Sequence, residues 1–96
     1  MIFKENILDY DIYNSLRKSV AWNAYTEEQA RQALENTYYS LVAYADDKAV
    51  GMSRVISDGI YFLIVDVVVM PEYQGQGIGT EMMQQLIEYI DKMSKC

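Results

Sequence analysis

Ile60-Tyr61-Phe62-Leu63-Ile64-Val65-Asp66-Val67-Val68-Val69-Met70-Pro71-Glu72-Tyr73-Gln74-Gly75-Gln76-Gly77-Ile78-Gly79-Thr80 is the stretch around which the rest of the chain is organised. Up to Met70 it is a near-continuous apolar run rich in β-branched and aromatic residues, which predicts a strand over 60–70 buried on both faces. Pro71 ends that strand. Beyond the glycines, Ile78, Met82, Met83, Leu86, Ile87, Ile90 and Met93 recur at helical spacing. Glu81, Gln84, Gln85, Glu88, Asp91 and Lys92 fall mostly between them. A helix therefore begins inside the glycine run, with the methionines at 82, 83 and 93 expected in its core face.

The junction suits an anion. The first N–H groups of a helix have no internal acceptor and sit at the positive end of its dipole. Glycine at 75, 77 and 79 removes the Cβ atoms that would hold an oxyanion off the backbone and frees the loop for positive φ. Spacing excludes two phosphate loops. A dinucleotide fingerprint counted from Gly75 and Gly77 puts Thr80 where its third glycine belongs, and no lysine or arginine lies between Val55 and Asp91 to complete a Walker loop.

What remains is Val69-Met70-Pro71-Glu72-Tyr73-Gln74-Gly75-Gln76-Gly77-Ile78-Gly79. This V-x-P-x-x-Q-x-x-G-x-G pattern resembles motif A of the GCN5-related N-acetyltransferase (GNAT) superfamily. The resemblance implies an α/β (α+β) fold with a mixed, mostly antiparallel sheet flanked by helices. It also implies acetyl-coenzyme A as co-substrate, its pyrophosphate on the main chain of Gln74 to Thr80 and its pantetheine arm along Val67, Val68 and Val69. An acetyl group would pass by direct attack to a primary amine of a small molecule or peptide, with a strand N–H near Val68 stabilising the oxyanion. In that family the motif A helix is followed by a strand splayed from its neighbour, a helix and a hairpin, often with a tyrosine that protonates the leaving thiolate. The resemblance covers the chain from its N-terminus through this helix, as one partial domain over 1–96. A non-catalytic coenzyme A-binding or oligomerisation module is the alternative it leaves open.

Composition sets outer limits. Ninety-six residues, 51% hydrophobic and 23% charged, predict one globular domain that buries about 60–65% of its unfolded surface. There is no basic segment leading into an apolar core at the N-terminus and no run long enough to span a bilayer, so a cytoplasmic location is expected. With one cysteine, Cys96, and no histidine, a metal-free site is expected. Cys96 is also a poor candidate nucleophile. The net charge of −6 disfavours a nucleic-acid surface. It also means that a polyanionic coenzyme must be held by backbone donors, since Gln74 stands where many GNAT relatives carry arginine.

Upstream, residues 1–7 predict a short strand. Tyr13, Leu16 and Val20 predict a helix over 9–20 with Asp9 or Asp11 as N-cap. Thr26-Glu27-Glu28-Gln29 reads as a capping box opening a helix with Ala30, Ala33 and Leu34 on its apolar stripe, ending near Asn36. The two helices are expected in one layer. A hairpin follows, with strands over 38–45 and 49–56 about an Asp46-Asp47-Lys48 turn. Its second arm reads as half-wet, with Val50, Met52, Arg54 and Ile56 on one face and Gly51, Ser53 and Val55 on the other. The order is β-α-α-β-β-β-α.

Asp66 interrupts the apolar strand and needs compensating partners. Two roles are open to it: a general base that deprotonates the acceptor, or a structural acceptor for loop amides. Trp22, Asn23 and Tyr25, between the first two helices, are candidate acceptor-binding residues by the resemblance, with core packing the alternative for the two rings. Tyr61 and Tyr73 are the tyrosines nearest the motif. A strand patterned for burial, in so small a domain, predicts a homodimer.

Overall fold

The computed structural model describes residues 1–94. Cys96 therefore lies outside the described residues. The elements run β1 (Ile2–Glu5), α1 (Tyr10–Ser19), α2 (Glu27–Glu35), β2 (Tyr39–Ala45), β3 (Lys48–Ser57), β4 (Phe62–Val69), a 3₁₀ turn (Pro71–Tyr73) and α3 (Ile78–Ser94). The strands form one sheet in the order β1-β2-β3-β4, and every pairing among the described strands is antiparallel.

Local chemistry explains the boundaries. Asp9, not Asp11, caps α1, its carboxylate accepting the Ile12 N–H at 2.9 Å. Thr26 and Gln29 exchange side-chain and backbone hydrogen bonds at 3.2 Å, the reciprocal arrangement that closes the first turn of α2. Asp46 takes φ 55° in the turn between β2 and β3. The Asp58 carboxylate accepts the N–H groups of Ile60 and Tyr61 at 2.9 Å, which holds it below the usual carboxylate range and shapes the turn into β4.

Helices cover both faces of the sheet. On one face Tyr13, Leu16 and Ala30 of α1 and α2 pack with Met52 and Val68. On the other, Ile78, Met82 and Leu86 of α3 meet Leu41, Ala43, Val50 and Val55. Each of those α3 side chains is at least 95% buried and contributes about 1.5–3 kcal/mol. Gly51 permits the close approach, because a Cβ there would lie 3.2 Å from the Val68 carbonyl oxygen and 3.3 Å from Met82 Cε. Tyr89 stacks on Tyr39 with ring centroids 3.7 Å apart. No helix among the described residues is long and apolar enough to cross a membrane.

Three expectations are corrected. The strand expected over 60–70 is shorter, and it is not buried on both faces. Ile60 and Tyr61 lie in the Asp58 turn before β4 and are 76% and 78% exposed, and Leu63, on the last strand of the described sheet, is 58% exposed. The arm expected to be half-wet is instead covered on both faces. A register shift between Ala43 and Tyr44 sends Val50 into the α3 cluster while Met52 faces α1. The apolar stripe of α3 is narrower than its sequence suggests, with Ile87 and Met93 exposed.

Candidate functional site

Two cavities lie along β4 from Val65 onward, one at a local distortion and one beyond it. The distortion is a bulge. Met52 pairs with Val68 but Arg54 pairs with Val65, so β4 holds one residue more than β3 across Ser53. Asp66 absorbs it at φ 53°, a region that aspartate visits more readily than most residues. The consequence is a break in alternation. Val65 and Asp66, consecutive in sequence, both line the cavity on the α1 and α2 side, while Ile64 and Val67 pack with the α3 cluster.

At that bulge the Asp66 carboxylate collects three donors. Arg17 Nη1 lies 3.1 Å from Oδ1, and Arg54 Nε and the Tyr13 hydroxyl each donate to Oδ2 at 2.8 Å. All three charged side chains are close to nine-tenths buried. The expected loop amides are thus replaced by side chains from α1 and β3. Burial, then the hydrogen bond to Asp66, pushes the Tyr13 hydroxyl above its ordinary value. Sequence reasoning did not assemble this cluster, although the i,i+4 spacing of Tyr13 and Arg17 already set them on one face of α1.

The residues expected at the acceptor site separate. Tyr25 lines the 290 Å³ cavity with Tyr13, Gln29, Arg54 and Asp66. Its backbone is clamped by the Asn14 side chain, which donates to the Tyr25 carbonyl at 2.8 Å and accepts from its N–H at 3.2 Å. Trp22 and Asn23 do not line that cavity. They hold Arg17 from outside, through the Trp22 ring 5.2 Å from its guanidinium carbon and the Asn23 carbonyl 2.8 Å from its Nε.

The other cavity, 380 Å³, sits at the end of β4 and is lined by Val69, Gln74, Gly75, Gly77, Gly79 and Thr80, with Tyr73 and Ile78. Gly75 and Gly77 adopt φ of 80° and 84°, and nothing lies within 4 Å of the position a Cβ would take. Gly79 is helical, without positive φ, and its absent Cβ would make ordinary contact with Val69 at 3.8 Å. The Gly77 carbonyl accepts from Glu81 N–H at 2.9 Å, so α3 starts there and its first amides point outward. Gln76 turns instead to a neighbouring hollow beside Phe3 and Glu81. Among the described residues no group of three or more potential ligands could hold a metal ion.

β4 itself supplies a row of main-chain groups. Met70 N–H donates to the Val50 carbonyl at 2.8 Å, so by alternation the amide of Val68 faces β3, and Val67 and Val69 face the open edge. The Val69 carbonyl on that edge accepts the Gln74 side-chain amide at 2.9 Å. The donor expected near Val68 is therefore not Val68 itself, whose amide belongs to the ladder. Tyr61 is far out on the surface, and Tyr73 lines the glycine cavity with Lys48 Nζ 6.0 Å from its ring centroid.

Comparison with known proteins agrees with this arrangement. The family model for the acetyltransferase (GNAT) family matches residues 9–96. The serotonin N-acetyltransferase 2, chloroplastic, of Oryza sativa subsp. japonica is 34% identical over 88 residues, covering 83% of this chain and 42% of that protein. A probable acetyltransferase of meticillin-resistant Staphylococcus aureus, SA2161, superposes with a TM-score of 0.85 at 34% identity, over 96% of this chain and 71% of that one. An aminoglycoside 6'-N-acetyltransferase crystallised with coenzyme A shares the fold, with a TM-score of 0.79 at 17% identity over 97% of this chain and 57% of that one. The chain spans 42% and 52% of the length of the two curated relatives it matches.

Proposed function

The chain belongs to the acetyltransferase (GNAT) family, and from that premise we propose that it moves an acetyl group from acetyl-coenzyme A to a primary amine. The observation that carries this reading is the glycine cavity. Open amides at the start of α3 lie beside the free edge of β4, in a cleft whose loop glycines leave no Cβ in the way. Those amides would hold the pyrophosphate, and the edge groups of Val67 with the N–H of Val69 would align the pantetheine arm as a peptide adds to a strand. Acetyl-coenzyme A supplies the thioester: the amine nitrogen forms the N–C bond as the C–S bond breaks, the amine proton passes to solvent and the thiolate leaves.

In this reading the Val67 N–H faces the developing oxyanion, and the cavity beside Asp66 receives the acceptor. Val65 and Val69 pair with Arg54 and Gly51, three residues apart on β3, so the two positions are about 10 Å apart at 3.4 Å per residue. Asp66 acts as the anchor that holds the bulge, since two guanidinium groups and a phenol already share its carboxylate, and a carboxylate so paired is a weak base. The rice relative is named for an arylalkylamine acceptor. Primary amines of that size suit the 290 Å³ cavity with its tyrosine walls.

Calorimetric titration of acetyl-coenzyme A followed by an amine-panel assay on the same sample tests the reading. Binding with turnover supports it, and no binding refutes it. Binding without turnover favours a second reading, a coenzyme A-binding module, to which the open flank of β4 lends support. The exposed Ile60, Tyr61 and Leu63 support a homodimer through that flank, checked by light scattering over a concentration series. A cytoplasmic location belongs to the same proposal and is checked by cell fractionation.

A further inference from the structure

The cavity beside Asp66 carries a charge imbalance. Two guanidinium groups converge on one carboxylate, which leaves a net positive charge at a nearly buried site in a chain whose overall charge is −6. Burial strengthens that local field relative to the screened surface charges.

The hydrogen-bond accounting is lopsided in the same sense. The Asp66 carboxylate already accepts from two guanidinium groups and a phenol, two donors on Oδ2 and one on Oδ1. Arg54 commits Nε to Asp66 and Nη1 to the Thr37 hydroxyl at 3.2 Å and the Ala33 carbonyl at 3.4 Å, while its Nη2 donates to no acceptor among the described residues. Gln29 spends its carbonyl oxygen on the Thr26 N–H and keeps both amide hydrogens, and the Tyr25 hydroxyl has no partner among the described residues. Three of the residues lining the cavity therefore offer unused donors, while its one carboxylate already has three donors for its roughly four acceptor positions.

A second ammonium group entering here would meet a carboxylate whose single charge is already shared by two guanidinium groups. A carboxylate would meet a guanidinium edge, an amide and a phenol, and would cancel the surplus charge. We propose that the acceptor is an amine that also bears a carboxylate, as an amino acid does, with the carboxylate taken by Arg54 Nη2 and the Gln29 amide. This rests on the reading of the cavity as the acceptor site. It also separates the chain from catalysts of polycationic amines.

The test uses pairs of amines that differ only in the carboxylate: 5-hydroxytryptophan against serotonin, phenylalanine against phenethylamine, and lysine against cadaverine. Binding to the chain saturated with coenzyme A is followed by NMR titration, and kcat/KM is measured alongside. The carboxylated member of each pair should bind about tenfold more tightly or better, the gain expected of one charge-assisted pair. That advantage should shrink to within about threefold in Arg54→Lys, which keeps the charge and loses the fork. Because Arg54 also holds Asp66, Gln29→Met is the second variant; it leaves Asp66 untouched and should weaken the same preference. Equal or preferential binding of the decarboxylated amines, no binding of any amine, or a preference that survives both variants overturns the proposal. Failure of coenzyme A itself to bind is a different result and overturns the acetyltransferase reading instead.

Discussion

Arg54 Nε lies 2.8 Å from Asp66 Oδ2 across the one point where the β3–β4 register slips. A regular ladder would put Asp66 on the face of Ile64; the bulge turns it towards α1, and Arg54 with Arg17 holds it there. A positive φ at a residue other than glycine costs about 1–3 kcal/mol and persists only where the surroundings enforce it, as this ion-pair cluster does. The strain, the cluster and the acceptor cavity are thus one feature.

Asp66→Ala leaves two nearly buried arginines without their carboxylate. It should lower unfolding free energy by about 3–5 kcal/mol in urea denaturation. Asp66→Asn preserves shape, and its turnover should follow the fraction of folded protein. A folded Asp66→Asn protein with normal coenzyme affinity and turnover reduced by about 10²-fold or more would reassign Asp66 as the general base.

Gly77→Val imposes a β-branched side chain at φ 84° in the loop where an oxyanion would approach. Coenzyme A binding should be lost in calorimetry, and unchanged affinity in the folded variant would remove the loop from the site. Gly79→Ala meets only an ordinary contact with Val69 and should leave the fold intact. Gln74→Arg should tighten binding at low salt by adding charge, with the gain fading at high salt.

At Gly51 a Cβ would press on the Val68 carbonyl at 3.2 Å and on the Ala43 Cβ at 3.4 Å, atoms that can retreat only if the strands move. Gly51→Ala should therefore destabilise the fold by about 1–3 kcal/mol, despite the better strand propensity of alanine. A denaturation midpoint equal to that of the parent would show that α3 can ride higher at no cost.

Ser53 is fully buried opposite the bulge, and its hydroxyl has no hydrogen-bond partner among the described residues. Ser53→Ala removes that unsatisfied group with little change in volume. Stability should rise by about 1 kcal/mol. A loss would mean that the hydroxyl has a partner, such as an ordered water.

Tyr13 and Tyr39 both have hydroxyls raised above the ordinary 10.0, each by burial first, then by a hydrogen bond to Asp66 or Glu5. For an acid whose folded value is raised, stability is full below the unfolded value and falls as pH climbs through the folded one. The urea midpoint should therefore be insensitive to these groups up to about pH 10 and decline above it. Tyr39→Phe should make that decline shallower, and an unchanged slope would exclude Tyr39 as a contributor.

Much of this fold is legible locally. Asp9 or Asp11, and Thr26 with Gln29, declare two helix starts, and the glycines with Pro71 declare the strand-to-helix junction, because caps and turns act over three or four residues. The bulge is not, since it exists only relative to a partner strand. The partners of Asp66 lie 53, 49 and 12 residues away, so its environment depends on how α1 and β3 meet. Val50 deceived the alternation for the same reason. The exposure of Leu63 depends on the place of β4 in the sheet, which its own composition does not encode.

The Gln74 amide bonded to the Val69 carbonyl has a consequence for anything that joins the sheet beside β4. A newcomer can zip along the strand only as far as it finds vacant acceptors, and the one at Val69 is already claimed by the chain's own side chain. Pairing there has to compete with the Gln74 amide, which favours parting of the two strands. The resulting wedge would open at the mouth of the glycine cavity, so a single glutamine keeps a slot from being closed by the hydrogen-bonding habit of the sheet itself.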